Sequence, residues 1–192
     1  VRPIESLVAT ELPNTSDASF PFWSPDSRHI AYFANGRLTR IDVDSGAQAD
    51  ICAAELGEGG TWGLNGTILF APTNQSAIFR VAASGGAPES VTALAPTEVA
   101  HNWPTFLPDG RKFIYTAYTR DAGTVRLREV ESGVEVRVTE ATSRVMAVAG
   151  HLLFVRNGQL LAQPFDASSG RLTGDAGLIA DFVQVAEVAA DR

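Results

Sequence analysis

The sequence has almost no cysteine and almost no lysine. Cys52 is the single cysteine among 192 residues, so the chain can form no internal disulfide and no cysteine-based metal cluster. Lys112 is the single lysine, against fourteen arginines. We interpret this bias as genome composition, because GC-rich codons favour arginine, and we assign it no functional meaning.

Long apolar runs and excess positive charge are also absent. No apolar run approaches the roughly 20 residues that a membrane-spanning helix needs, so we expect no membrane insertion of this segment. The chain carries 15 basic and 22 acidic side chains, a net charge of −7. This balance argues against nucleic acid as a partner, because phosphate binding depends on clustered Lys and Arg. Because 45% of the residues are apolar, the chain can build a globular core.

Motifs for catalysis are missing as well. The sequence contains no Gly-x-Ser-x-Gly nucleophile elbow and no protein kinase motif set. The glycine-rich segment 57–60 carries Glu58, whose charge would repel phosphate. We therefore predict that the chain is not an enzyme and that it has no catalytic residue, no metal site and no cofactor.

What the sequence does contain is a repeat. Trp23-Ser24-Pro25-Asp26-Ser27-Arg28, followed by an apolar run, returns as Phe106-Leu107-Pro108-Asp109-Gly110-Arg111. A shorter unit surrounds Gly66 and a degenerate one surrounds Gly150. The turn positions Ser27, Gly66, Gly110 and Gly150 are separated by 39, 44 and 40 residues. Ser-Gly pairs at 45, 84, 132 and 169 recur in the same phase, at steps of 39, 48 and 37 residues.

Each unit is typical of four short antiparallel strands. In the first unit, Pro25-Asp26-Ser27 and Asn35-Gly36 are turn signals, and residues 37–43 alternate between polar and apolar side chains. Four-stranded units of about 40 residues indicate blades of a β-propeller, because a lone four-stranded sheet cannot bury two apolar faces. An unrelated β-sandwich or barrel is the alternative.

We predict an all-β, β-propeller-type domain of about four complete blades, for which an open or partial propeller is one form. Its predicted parts are the end of a preceding blade (1–15), four blades (18–53, 59–93, 101–140 and 143–183) and the start of a further blade (184–192). Equivalent positions in the repeat should be buried between blades. These are Trp23, Ile30, Tyr32, Phe70, Phe106, Phe113, Tyr115 and Phe154.

The motif of an aromatic residue, then x-Pro-Asp-Gly/Ser-Arg and an apolar strand, resembles the TolB-type, WD-repeat-like β-propellers of bacteria. The resemblance runs from about Phe20 to Phe182 and is closest to propellers appended to bacterial serine/threonine protein kinases. It implies a binding or scaffolding role, often outside the cytoplasm, so we expect an extracytoplasmic or periplasmic location, with the cytoplasm as the alternative. Family propellers usually have six or more blades, so this chain resembles a piece of one.

Candidate binding residues lie in the loops that such a fold places on one face. The loops joining the fourth strand of one unit to the first strand of the next share that face with the loops joining strands two and three. The candidates are Glu55, Glu58, Asn74, Glu98, His101, Arg120, Asp121 and Arg156. For His101 we favour a structural bond to the neighbouring blade over contact with a ligand. We expect Glu135 and Arg137 to lie on an ordinary exposed strand edge.

We therefore predict a non-catalytic module that recognises a protein, a peptide or a small ligand on the loop face. One alternative is an accessory propeller of a larger enzyme, either a bacterial protein kinase or a prolyl-oligopeptidase-like peptidase. Another is an assembly role through the terminal blades. Residues 1–12 could pair with residues 183–188 to close a small ring, but we favour an open arc that associates with a second copy.

Overall fold

The computed structural model describes residues 1–2, 5–141 and 143–183. These residues form seventeen β-strands and no helix, and therefore no helix that could cross a membrane. The strands make four antiparallel sheets in chain order, which we number as blades 1 to 4. The predicted all-β propeller architecture is thus confirmed, and the arc that these blades form is open.

The strands of blades 1 and 2 follow the predicted repeat. Blade 1 contains β1 (Ser19–Trp23), β2 (His29–Ala34), β3 (Arg37–Asp42) and β4 (Gln48–Ala53). Blade 2 contains β5 (Gly60–Trp62), β6 (Thr67–Phe70), β7 (Phe79–Ala82) and β8 (Glu89–Ser90).

Blade 3 has the longest strands and blade 4 departs from the pattern. Blade 3 contains β9 (Ala100–Phe106), β10 (Lys112–Tyr118), β11 (Gly123–Glu129) and β12 (Glu135–Glu140). Blade 4 contains β13 (Met146–Val148), β14 (His151–Arg156), β15 (Gln159–Asp166), β16 (Arg171–Leu172) and β17 (Gly177–Ala180). Both β16 and β17 pair with β15, so the fourth strand of blade 4 is interrupted.

The turn residues that recur in the repeat adopt the left-handed backbone conformation. The φ angles of Ser27, Gly66, Gly110 and Gly150 are 58°, 78°, 65° and 75°. The glycines of the four Ser-Gly pairs also have positive φ, from 70° to 100°. Only glycine and a few polar residues adopt this conformation at low cost, which explains why both markers recur in the sequence.

Acidic side chains before the Ser-Gly pairs stabilise the same turns. The Asp42 carboxylate accepts hydrogen bonds from the Ser45 backbone N–H at 2.8 Å and the Ser45 hydroxyl at 2.7 Å. Asp166 accepts bonds from the Ser168 and Ser169 hydroxyls at 2.7 and 2.5 Å. These hydrogen bonds lower the pKa of both carboxyls, that of Asp166 to about 2.

The core consists of three apolar layers, one between each pair of neighbouring blades. Blade 1 packs Phe33 and Leu38 against Phe70 of blade 2. The opposite face of blade 2 covers Phe113 and Tyr115 of blade 3. Blade 3 in turn covers Leu152 and Phe154 of blade 4 with its remaining face. Successive residues of each second strand therefore point into different layers, which is why these strands are apolar on both sides.

Most of the aromatic positions predicted to be buried are buried. Tyr32, Phe70, Phe113, Tyr115 and Phe154 are at most 3% exposed, and Ile30 and Phe106 are partly buried. The prediction for Trp23 is wrong, because its side chain is 47% exposed. Trp23 pairs with Ile30 on the face of blade 1 that no blade covers.

The two end faces of the arc differ from the interior faces. On blade 1, residues 11–18 lie over Tyr32 and Ile41 and leave a cavity of about 550 Å³ beside Trp23. On blade 4, Met146 and Val148 are 43% and 46% exposed. Both lie on the face opposite the layer shared with blade 3, together with Leu153.

The segment assigned from sequence to a preceding blade contains no strand among its described residues. Within residues 1–15, the described residues form no strand, and the backbones of Val1 and Thr10 are joined by hydrogen bonds instead. The predicted start of a further blade, 184–192, lies outside the described residues. The same is true of most of the segment 183–188, which the alternative of ring closure would pair with residues 1–12.

Candidate functional site

Three blades share an unusual backbone conformation in or just before their first strand, on the side of the predicted loop face. Phe20, Gly59 and Trp103 occupy the same position in their units, and their φ angles are 48°, 85° and 58°. Bulky residues rarely adopt positive φ, and such strain gathers at functional sites. The two aromatic residues therefore mark the beginning of the first strands as a candidate site.

A β-bulge explains how the chain reaches this conformation. Proline follows both aromatic residues, at Pro21 and Pro104. The register of β1 with β2 and of β9 with β10 shifts at these points. Because proline has no N–H to donate to a sheet, it is confined to edges and bulges, and a bulge turns the neighbouring side chain away from the regular pleat.

The bulges bring side chains from distant units together. The rings of Phe20 and Trp103 meet edge to face, with their centroids 5.0 Å apart, although they belong to blades 1 and 3. The guanidinium carbon of Arg144, in the loop before blade 4, lies 5.3 Å from the Trp103 ring centroid. The Trp103 backbone N–H donates to the Glu58 carbonyl at 3.3 Å. We call Phe20, Glu58, Trp103, Tyr118 and Arg144 the axial cluster, because the contacting strands β1, β5 and β9 form the inner side of the arc.

The carboxyl group of Glu58 is the one acidic group of the axial cluster. It is partly buried, and this burial raises its pKa above the ordinary value. In the part of the chain that the structure describes, no ion pair or side-chain hydrogen bond reaches it. Burial also raises the pKa of Tyr118, to which the nearby Glu58 charge contributes. A partly desolvated carboxyl with a raised pKa is a feature of binding sites.

A second group of candidates forms a buried network between blades 2 and 3. His101 is fully buried, and its Nδ1 lies 2.8 Å from the Thr92 hydroxyl. Its Nε2 lies 2.9 Å from Glu98, whose side chain is only 3% exposed. Burial lowers the pKa of His101, so the ring is neutral and carries one proton. An ionised Glu98 carboxylate can only accept, so that proton lies on Nε2 and is donated to Glu98. The unprotonated Nδ1 then accepts from the Thr92 hydroxyl, whose oxygen accepts the Ile78 backbone N–H.

Arg126, Glu135 and Tyr115 extend this network. Arg126 bridges Glu98 and Glu135, bonding Glu135 at 3.0 Å. The Tyr115 hydroxyl donates to the Glu135 carboxylate at 2.5 Å. Burial is the main cause of the raised pKa of Tyr115, and the hydrogen bond and charge of Glu135 add to it. The expectation of an ordinary exposed edge is therefore wrong for Glu135, because Arg126 on the adjacent strand β11 and Tyr115 on β10 bind its carboxylate. Arg137, in contrast, is exposed.

The network joins neighbouring blades and is closed to ligands. The His101 backbone N–H also donates to the carbonyl of Ser76 in blade 2 at 2.8 Å. The His101 side chain reaches the same blade through Thr92, which follows β8, and this is the structural contact that we favoured over contact with a ligand. Because Glu98 and His101 are both buried, neither side chain can contact a bound molecule on the loop face.

The remaining candidates lie separately on the loops. Glu55, Arg120, Asp121 and Arg156 are exposed, and Asn74 is partly buried in the loop between β6 and β7. Arg156 packs over Phe154, with its guanidinium carbon 5.0 Å from the ring centroid. No ion pair joins any of these five to another residue within the described ranges.

Of the predicted candidates, only Glu58 belongs to the axial cluster. Sequence reasoning did not identify the other four members, Phe20, Trp103, Tyr118 and Arg144, as site residues. A usable signal was present: an aromatic–proline pair precedes the Pro-Asp turn at the same distance in units one and three. Nothing in the pattern identified Arg144. Nowhere among the described residues do three or more His, Cys, Asp or Glu side chains gather to hold a metal ion.

Comparison with known proteins identifies the fold. No family model matches the chain. An uncharacterized protein of Agrobacterium fabrum is 27% identical over 156 residues, which cover 75% of this chain and 50% of that protein. The chain thus spans about half the length of this curated relative.

Solved structures identify the fold, although their sequence identity to this chain is lower. The putative TolB of Agrobacterium tumefaciens has a TM-score of 0.67 and 20% identity, covering 85% of this chain and 62% of that one. Regucalcin of the same species, a calcium-binding protein, has a TM-score of 0.65 and 17% identity, covering 88% and 61%. Dipeptidyl peptidase 4 of Porphyromonas gingivalis has a TM-score of 0.56 and 10% identity, covering 82% and 32%. The chain therefore has a TolB-like β-propeller fold.

Proposed function

We propose that this β-propeller chain is a non-catalytic module that binds a protein, peptide or small ligand at the axial cluster. The observation that carries the proposal is the meeting of Phe20 and Trp103, two strained aromatic residues from different blades, at 5.0 Å. A fold keeps strained residues where their placement is useful. Tryptophan, tyrosine and arginine are also the residue types that dominate binding energies at interfaces.

The absence of catalysis is part of the proposal. Among the described residues, the histidine and carboxylate that lie within hydrogen-bond distance of each other are His101 and Glu98. Both side chains are buried, which shields them from a substrate. General acid–base catalysis needs a group within reach of the reacting atoms. We expect no hydrolase or kinase turnover from the purified chain with any common metal; reproducible turnover that one polar substitution abolishes would contradict this.

An accessory role in a larger enzyme is the second candidate function. The similarity to a dipeptidyl peptidase and the partial coverage of the relatives favour it. The complete gene sequence tests it directly, since a neighbouring kinase or peptidase domain would be evident. The resemblance to TolB-like propellers supports an extracytoplasmic location, which fractionation of the native host tests.

Selection from a phage-displayed peptide library on the immobilised chain tests the binding proposal. We expect the enriched peptides to bind Trp103→Leu and Glu58→Gln at least tenfold more weakly, about 1.4 kcal/mol of binding free energy. Arg111→Gln is the matched control, because Arg111 lies in the Pro-Asp turn at the other end of the strands. Urea unfolding would show that each variant is folded. Peptides that bind the axial variants normally and fail only with Arg111→Gln would contradict the proposal.

A further inference from the structure

We infer that the axial cluster takes an organic cation, a guanidinium or alkylammonium group such as an arginine or lysine side chain, between Glu58 and the Trp103 ring. This inference rests on the proposed binding function and specifies the chemistry of the ligand. The fold alone does not predict this ligand, because the first strands of a propeller can carry residues of any kind.

The Glu58 carboxylate provides the charge for such a ligand. Glu58 lies in the loop between β4 and β5, and its carbonyl holds the Trp103 N–H. Its carboxyl is partly buried, yet no cationic side chain pairs with it in the described part of the chain. A carboxylate held away from water without a partner is costly, and a bound cation removes that cost.

The aromatic rings provide the second half of the site. Cations bind over the face of an indole ring within about 6 Å of its centroid, and cages of aromatic rings with a carboxylate recognise alkylammonium groups. Trp103, with Phe20 packed against it edge to face, supplies such a ring. Tyr118, whose raised pKa reflects burial and in part the charge of Glu58, is the third aromatic residue of the axial cluster.

Arg144 shows that the Trp103 ring accepts a cation in this fold. Its guanidinium carbon lies 5.3 Å from the ring centroid. No salt bridge joins Arg144 to Glu58, as far as the described residues go. Arg144 thus occupies the ring without neutralising the carboxylate, and it competes with an incoming cation for the aromatic surface.

Two other ligand classes fit this site less well. A calcium ion takes about six to eight oxygen ligands, whereas no group of three or more His, Cys, Asp or Glu side chains is assembled in the described residues. An anion would gain from Arg144 but would face the charge of Glu58. An organic cation needs only one carboxylate and the aromatic faces.

The fluorescence of Trp103 allows a direct test. In a Trp23→Phe/Trp62→Phe background, Trp103 is the single tryptophan, and its emission can be followed while N-acetyl-argininamide or tetramethylammonium is added. We expect a saturable change. Glu58→Gln should weaken this binding at least tenfold, whereas Glu55→Gln, exposed in the same loop, should leave it unchanged. Arg144→Ala should tighten it severalfold, because the competing cation is gone.

The remaining outcomes separate this inference from the proposed function. If N-acetyl-glutamate amide binds and Arg144→Ala abolishes that binding, the ligand is an anion. This result would overturn the inference of a cationic ligand but would leave the proposed binding site in place. An equal response to calcium would overturn it in favour of a metal ligand. If library peptides bind but neither cationic probe does, the inference alone fails; if neither peptides nor probes bind, the proposed function fails too. Normal binding by a folded Glu58→Gln variant also overturns the inference.

Discussion

His101 shows how a single residue can set the response of this protein to acid. Burial lowers the pKa of His101, and the hydrogen bond and charge of Glu98 offset that effect only in part. Burial alone would raise the pKa of Glu98, but the hydrogen bonds from Ala95 and His101 and the charge of Arg126 hold it below its ordinary value. Both groups therefore bind protons more readily in the unfolded chain.

We predict that the free energy of unfolding falls as the pH drops. The His101 contribution is fully present above its unfolded pKa of 6.5 and is lost as the pH falls towards the lower folded pKa. The Glu98 contribution is lost in turn below about pH 4.5, where the unfolded carboxyl takes up its proton. Urea unfolding across this range measures both losses.

The variant His101→Gln should lose the first part of this dependence. We expect it to be about 1–3 kcal/mol less stable at neutral pH, since it breaks a buried hydrogen-bond network. Its stability should change less between about pH 6.5 and 5. His151→Gln is the control, because His151 is exposed. A wild-type protein that gains stability on acidification through this window would show that His101 is charged in the fold.

A substitution at Gly59 tests the importance of the left-handed backbone conformation that it shares with Phe20 and Trp103. A Cβ atom there would lie 2.7 Å from Cε3 of Trp103, and the φ angle of 85° adds backbone strain. We predict that Gly59→Ala destabilises the fold by about 2–4 kcal/mol, combining left-handed strain with the displaced ring.

Gly66→Ala separates these two effects. Gly66 has a φ angle of 78°, but a Cβ atom there meets nothing within 4 Å. Its cost should be the strain alone, about 1–2 kcal/mol. Comparison of the two urea midpoints, together with the emission of Trp103, measures the contribution of the ring contact. Equal losses would mean that Trp103 simply moves aside.

At the scale of strands and blades, the four sheets are not equally protected. Blade 3 is covered on both faces, and its seven-residue strand β10 is buried at five consecutive positions from Phe113 to Ala117. Blade 4 is covered on one face, begins with a three-residue strand and has an interrupted fourth strand. Local opening requires the loss of fewer apolar contacts in such an element.

We therefore predict a gradient of amide hydrogen exchange across the blades. The amides of β10 should exchange slowest, and those of β13 and β14 much faster, as measured by mass spectrometry of peptic peptides. The internal standard is β2, which resembles β14 in length and also lies in an end blade, but which has buried residues on both faces. If β14 is as slow as β10, the outer face of blade 4 is covered in solution.

At the scale of the whole molecule, the open arc leaves two unlike end faces. Blade 1 presents Trp23 beside a cavity of about 550 Å³, and blade 4 presents Met146 and Val148. In each of the three interior layers, a face equivalent to the outer face of blade 4 packs against a face equivalent to the outer face of blade 1. Exposed apolar patches of this kind usually mark interaction sites, and repeat arrays without polar caps tend to associate.

We predict head-to-tail association of two or more copies through these faces. Sedimentation at low micromolar concentration should show species above the mass of the monomer. Val148→Lys should shift them towards the monomer, because it places a charge on the blade 4 face. Val134→Lys is the control, since Val134 is 65% exposed in a turn away from that face. A strict monomer at all concentrations would contradict the prediction.

The sequence by itself determined the repeat, its turns and the number of blades. These features are local: the left-handed glycines and the Pro-Asp and Asn-Gly turns act on the few residues beside them. The alternation of apolar residues then identified the faces of each strand. In blade 1 the predicted turns Pro25-Asp26-Ser27 and Asn35-Gly36 lie between β1 and β2 and between β2 and β3, whereas the degenerate fourth unit gave no warning of the interrupted strand formed by β16 and β17.

Only the tertiary structure decided which side chains meet. Phe20 and Trp103 are 83 positions apart, and their contact depends on the inward path of the first strands across three blades. The burial of Glu98 and the partners of Glu135 likewise come from neighbouring strands and blades, while Trp23 is exposed because its blade is at an end. Such neighbours are set by how sheets stack and by where the stack stops, and the local pattern of a repeat carries no information on either.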